Sequence, residues 1–217
     1  LHGSSAASDV YKRQGDDNTG AVAFFEDPVG ALIAEEDADT YIRGNDTYAY
    51  TGRGTTVADF DGDGNSDFGW VEPSDSLGFV IEGPFSGELD GGDADIDITA
   101  ATSNSYLVTN MSSGDYNDDG YVDLAVGSMY SSYFGGASYG GAVVVFNGPL
   151  GNNLDVESDY DYAFYDNSNN YLGHYADTLN SGDIDGDGYD DMVIGEYSND
   201  DAGYSSGVAM IQFGPLE

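Results

Sequence analysis

Two marks recur along this chain in strict alternation, and their order restricts the fold more than any other feature. The first is a glycine, an apolar run and a closing proline. It reads Gly20-Ala-Val-Ala-Phe-Phe-Glu-Asp-Pro28, Gly78-Phe-Val-Ile-Glu-Gly-Pro84, Gly141-Ala-Val-Val-Val-Phe-Asn-Gly-Pro149 and Gly207-Val-Ala-Met-Ile-Gln-Phe-Gly-Pro215. The second is an aspartate-rich loop beginning at Asp59, Asp115 and Asp183. Successive prolines lie 56, 65 and 66 residues apart and successive loops 56 and 68. One unit is therefore used three times, after the tail of a fourth.

Each unit reads as short strands. One lies ahead of the loop, as at Ser105 to Thr109, and one follows at once, as in Asp123-Leu-Ala-Val-Gly127 and Asp191-Met-Val-Ile-Gly195. Phe68-Gly-Trp-Val71 is the weaker copy of the latter, which marks the first unit as the irregular one. The Gly–apolar run is a third strand, and Asp95 to Thr99 beyond the proline a fourth. Runs this short, bounded by Gly and Asp, suit strands, and no segment sustains a helical period. Four antiparallel strands per ~60 residues make a propeller blade. A β-sandwich of similar hairpins is the alternative, and it leaves the alternation of the two marks without a cause. The expected fold is all-β, with about three four-stranded blades plus one strand of a larger propeller. Residues 1–14 are an extraneous or disordered leader and 15–33 the tail of a preceding blade. Residues 34–89, 90–150 and 151–217 are blade repeats.

The loops read Asp59-Phe-Asp-Gly-Asp-Gly-Asn-Ser-Asp67, Asp115-Tyr-Asn-Asp-Asp-Gly-Tyr-Val-Asp123 and Asp183-Ile-Asp-Gly-Asp-Gly-Tyr-Asp-Asp191. Oxygen-bearing side chains stand at positions 1, 3, 5 and 9: Asp59, Asp61, Asp63 and Asp67; Asp115, Asn117, Asp119 and Asp123; Asp183, Asp185, Asp187 and Asp191. Calcium takes six to eight oxygens, and a tight turn aims alternate side chains at one point. Glycine at position 6 reverses the chain, and Asn65, Tyr121 and Tyr189 at position 7 would add backbone carbonyls. Without a cation, so many carboxylates in nine residues repel one another. An EF-hand begins similarly but needs an acid at position 12. Here that position is Trp70, Val126 or Ile194. Three Ca²⁺ sites are expected.

The chain carries 41 acidic against 4 basic residues, a net charge of −37. That balance excludes nucleic-acid partners and docking on anionic lipid. Three divalent ions would offset only a small part of it, so most acids form a solvated face suited to a salty medium. No apolar run approaches the ~20 residues of a membrane span. The 18 Tyr and 10 Phe suffice to fill a core.

At the loops and the strands after them, the sequence resembles the FG-GAP repeat, the unit of the integrin α-subunit β-propeller. The residues that carry the likeness are Gly114-Asp115 and Gly182-Asp183 entering the loops, the Asp-apolar-apolar-apolar-Gly exits and the later Gly–apolar strand. Leu172-Gly173 stands for the Phe-Gly element. The resemblance covers residues 20 to 217 and implies a seven-bladed ring with Ca²⁺ in hairpin loops. The remaining blades or other domains would then belong to a longer parent chain.

In an antiparallel meander, successive connections alternate between the two ends of a blade. The connections opposite the aspartate loops are rich in Tyr, Ser and Gly, a composition suited to recognition. Tyr130, Tyr133, Tyr139, Tyr197 and Tyr204 are the candidate ligand-binding residues, for a protein or a glycan. The sequence has no Cys, no nucleophile elbow and no phosphate-cradling loop, and His174 reads as a turn or packing residue, so no catalytic residue is assigned. The expected function is a secreted or cell-surface, calcium-stabilised adhesion module. The alternatives are the propeller portion of a secreted polysaccharide-acting enzyme and a structural spacer.

Overall fold

The computed structural model describes residues 19–25, 38–44, 46–100, 108–129, 134, 139–169, 171–173, 178–200, 203–204 and 206–216. Among these residues there are fifteen strands and no α-helix. The strands are β1 (Ala21–Phe24), β2 (Thr40–Arg43), β3 (Thr55–Ala58), β4 (Asp67–Glu72), β5 (Leu77–Ile81), β6 (Gly87–Leu89), β7 (Ile96–Thr99) and β8 (Asn110–Gly114). They continue with β9 (Asp123–Ser128), β10 (Ala142–Phe146), β11 (Leu154–Asp155), β12 (Tyr162–Tyr165), β13 (Leu179–Gly182), β14 (Asp191–Glu196) and β15 (Val208–Gln212).

Strands β3-β4-β5-β7 and β8-β9-β10-β12 are antiparallel meanders of four. β13-β14-β15 repeats the first three strands of such a meander, and β1-β2 pairs a Gly–apolar strand with the strand after it. The fold is thus all-β, built of propeller-like blades. The sheets draw on residues 55–99, 110–165 and 179–212, whereas the partition read from sequence breaks at 89/90 and 150/151. The offset arises because each fourth strand follows the proline.

Side chains alternate across a strand, and here both faces are used. Leu124 and Val126 of β9, with Val144 and Phe146 of β10, pack toward Val71, Val80, Ile96 and Ile98 of the preceding sheet. From the same two strands, Ala125, Val143 and Val145 pack the other way, toward Leu179, Met192 and Ile194. A third cluster joins Val22 and Ile42 to Phe68, Trp70, Phe79 and Ile81. The sheets therefore stack face to face with a core between each pair, and a strand buried on both faces needs an unbroken apolar run. That accounts for Ala-Val-Val-Val-Phe in β10, buried throughout.

Two expectations are corrected. The strand that enters the second loop is Asn110–Gly114; of the expected Ser105 to Thr109, residues 105–107 lie outside the described set, and Val108 packs into the core as a lead-in. The innermost strands are short and polar because they face one another: β3 lies against β8, and β8 against β13. Nor is the first unit distorted. β4 is buried along its whole length, with Trp70 stacked between Phe68 and Phe79 at centroid distances of 5.9 and 5.1 Å.

A further regularity lies between third and fourth strands. There the chain reaches back and adds a short parallel strand to the outer edge of the preceding sheet: β6 on β2 and β11 on β7. Asn153 reinforces the second contact by accepting from the Asp97 N–H at 2.9 Å. An outer edge that would otherwise present free backbone groups is partly paired.

Candidate metal centres and the opposite face

The aspartate loops join β3 to β4, β8 to β9 and β13 to β14. All three fold by the same local bonds. The position-1 carboxylate accepts at one oxygen from the N–H of position 4 or 5: Gly62 to Asp59 at 2.9 Å, Asp119 to Asp115 at 3.1 Å and Gly186 to Asp183 at 2.7 Å. Its other oxygen accepts from the position-6 glycine, at 2.9, 2.9 and 3.1 Å for Gly64, Gly120 and Gly188. Those glycines have φ of 91°, 89° and 98°, a region costly for any side chain with a Cβ. Position 3 (Asp61, Asn117, Asp185) accepts from the N–H of position 5, and position 5 (Asp63, Asp119, Asp187) from that of position 7.

Position 9 is held from two directions. Asp67, Asp123 and Asp191 each accept from the N–H of position 2 (Phe60, Tyr116, Ile184) at 2.7–2.9 Å. Their second oxygens accept from Gly83, Gly148 and Gly214 at 2.9, 2.8 and 3.0 Å. These glycines precede the recurring prolines, through cis peptide bonds, so the two sequence marks meet at this carboxylate. The glycines are needed for close approach. A Cβ would stand 2.3 Å from the Ser66 carbonyl oxygen, 2.4 Å from that of Val122 and 2.7 Å from that of Asp190. Sequence reading assigned the proline no role beyond marking the repeat; its fixed offset from position 9 was the signal.

Burial and backbone donors together set the acidity of these carboxylates. Desolvation raises Asp67 and carries Asp123 to about 6, against the lowering effect of their backbone donors. At Asp191, beside the largely exposed β15, the N–H bonds outweigh desolvation, that from Gly214 foremost, and the acid is strengthened. Glu82 is raised by desolvation and by Asp95, Asp61, Asp67 and Asp63 nearby.

Ligand-capable oxygens of Asp59, Asp61 and Asp67 lie within 4.8 Å of one another, as do those of Asp183, Asp185 and Asp187. In the second loop Asn117 takes the third position. These acidic groups could hold a metal. The donors are oxygen alone, carboxylate and amide, which fits a hard divalent cation, and an oxygen accepting one N–H retains a lone pair.

Register places the other connections at the far end of each sheet. Gly114 pairs with Asp123 beside the aspartate loop, whereas Ser128 pairs with Ala142 and Glu196 with Val208 at the opposite end. Tyr139 and Tyr197 sit there, each 41 % exposed, with Tyr204 at 95 %. Tyr130, Tyr133 and His174 lie outside the described residues. Tyr171, which sequence reading missed, links two of the others, its ring centroid 5.9 Å from Tyr139 and 5.3 Å from Tyr197. Tyr171 has φ of +60°, as Tyr50 has +58° at the same place in the earlier repeat. The next residues, Thr51 and Leu172, bridge to Gly20 and Gly141. Thr51-Gly52 is thereby the counterpart of Leu172-Gly173.

A cavity of about 420 Å³ opens between the innermost strands, lined by Arg53, Thr56, Asn110, Ser113 and Ser181 among others. Thr56 and Ser113 hydroxyls bond across it at 2.7 Å.

Stacked antiparallel sheets joined by acidic hairpin loops define a class, the propeller-type repeat protein, and comparison with known proteins agrees. The FG-GAP repeat family matches residues 108–146, which run from the lead-in of β8 to the end of β10. Over 87 residues, 40% of this chain, the sequence is 33% identical to integrin alpha-5 of Xenopus laevis. The matched region is 8% of that protein's length. Part of the chain is thus similar to the FG-GAP repeat and to an integrin α chain.

Proposed function

We propose that this chain is a calcium-stabilised, extracellular binding module of FG-GAP propeller type, part of a seven-bladed ring in a longer protein. The observation that carries the reading is the bonding shared by all three loops, in which the carboxylates or amide at positions 1, 3, 5 and 9 each accept a backbone N–H. Each loop spends its backbone N–H groups on orienting acids, and this leaves oxygens converging where like charges would otherwise repel. Bound Ca²⁺ would supply the compensating positive charge. Asp59, Asp61, Asp63 and Asp67 would hold it in the first loop. Asp115, Asn117, Asp119 and Asp123 would do so in the second, and Asp183, Asp185, Asp187 and Asp191 in the third. Carbonyls of Asn65, Tyr121 and Tyr189 would complete the sets. Similarity to an integrin α chain supports an adhesive role outside the cell.

On this reading the module is a binder and not an enzyme. The face opposite the loops meets a protein or glycan ligand through Tyr139, Tyr197 and Tyr204, joined by Tyr171, with Tyr130 and Tyr133 in the same connection as Tyr139. Aromatic rings held on an ordered backbone offer contact area at small entropic cost. Screening the chain on glycan and protein arrays with calcium and with EDTA tests this. Capture should require calcium and should be lost when Tyr139, Tyr197 and Tyr204 are replaced by Ser, with the melting temperature unchanged. A joint loss of capture and stability would instead mark the tyrosines as packing residues. An array with no calcium-dependent hit would favour a spacer.

A further inference from the structure

The backbone of the second loop is gripped by its neighbour. The Asp115 N–H donates to Asp190 Oδ2 at 3.0 Å, and Asp190 belongs to the third loop, 75 residues away. The approach is close, since a Cβ on Gly114 would stand 3.1 Å from that oxygen. The next peptide is held as well: the Tyr116 N–H donates to Asp123, and the Tyr116 carbonyl accepts from the Leu216 N–H at 2.7 Å. Leu216 follows the Gly214-Pro215 pair, whose glycine donates to Asp191. Adjacent residues of the third loop thus face two ways. Asp191 closes its own loop, while Asp190 fixes the first residue of the loop before it.

Among the described residues the contact is specific to this pair of loops. Leu150 does bond the Phe60 carbonyl at 2.7 Å, repeating the Leu216 contact at the first loop. But position 8 of the second loop is Val122, which packs against the apolar core and offers no acceptor.

We infer that Asp190 is a positioning residue for the metal centre of the second loop, acting across the repeat boundary by fixing the backbone from which the Asp115 carboxylate projects. The inference rests on reading the loops as calcium sites. Two consequences follow. The middle loop, with an amide at position 3, gains an additional negative charge from outside its own nine residues. Ordering of the third loop by its ion also orders the second, whereas the step from second to first lacks a carboxylate.

Calcium titration of the ¹⁵N-labelled chain tests this, because the Gly64, Gly120 and Gly188 amides each donate to their own loop's first carboxylate and so report the three sites separately. Asp190→Val, which copies the residue found in the second loop, should weaken the Gly120 midpoint roughly tenfold, as outer-shell partners do, and leave Gly64 in place. Asp190→Asn keeps an acceptor oxygen and should restore most of the loss. A Gly120 midpoint unmoved by Asp190→Val overturns the inference. So does an equal shift at Gly64, which would mean general loosening, or a shift confined to Gly188. If none of the three glycines of the unaltered chain responds saturably, the calcium reading falls and takes this inference with it.

Discussion

Position 9 of each loop is the residue where most of the chemistry converges. A carboxylate there accepts one N–H from its own loop and one from the end of the third strand, so a single side chain ties three strand ends together. Gly148 is a partner that leaves no room for a side chain. Its Cβ would sit 2.4 Å from the Val122 carbonyl oxygen, and Gly148→Ala should cost at least about 1–3 kcal/mol, read by thermal or denaturant unfolding. The same site predicts a pH dependence. Asp123 keeps its proton up to about 6 when folded, against 3.8 for an unperturbed Asp, so between these values the folded state binds more protons than the unfolded. In chelator, this group's contribution is greatest below about pH 4, declines as pH rises to about 6, and is level beyond. Melting curves across that window should show the decline, and Asp123→Asn should flatten it. Asp67 adds in the same direction; Asp191, whose acidity is strengthened, opposes it by losing stability as pH falls.

Among the elements, legibility divided along physical lines. The aspartate loops could be read because their ligand spacing is fixed by bonds within nine residues. The third strands could be read because burial on both faces demands uninterrupted apolar residues, as in β5 and β10. The innermost strands could not, since Thr55–Ala58, Asn110–Gly114 and Leu179–Gly182 set one apolar residue each (Val57, Met111, Leu179) among small or polar ones, too few to show a strand pattern. β6 and β11 were equally hidden: two or three residues long, each depends on a partner more than forty positions away. Tyr171 was missed for the same reason, its neighbours being set by the path of the chain and not by spacing. Hydrogen exchange offers a test at this level. Removing calcium should speed exchange first at Phe60, Tyr116, Ile184, Gly83, Gly148 and Gly214, the donors to position 9. Strand-centre amides such as those of Val144 and Val126 should remain protected.

At the scale of the whole molecule, net charge governs how stability responds to the medium. With −37 on the chain, metal-free stability should rise with salt as repulsion is screened. Calcium should raise the melting temperature most at low ionic strength, by an amount equivalent to about 2.7 kcal/mol per site at a hundredfold excess over its dissociation constant. An EDTA melting curve that coincides with the calcium curve at low salt would contradict the proposed role.

The reach-back strands carry one more consequence. β6 precedes β7 in the chain, yet β6 lies on the sheet before its own. In chain order, then, a new unit supplies a strand to its predecessor's rim before it supplies its own last strand. The flank of the blade ending in β7 thus stays bare only until β11 emerges, just after the third strand of the next unit. For so acidic and glycine-rich a polypeptide, protection against mispairing is thereby written into the order in which its segments emerge.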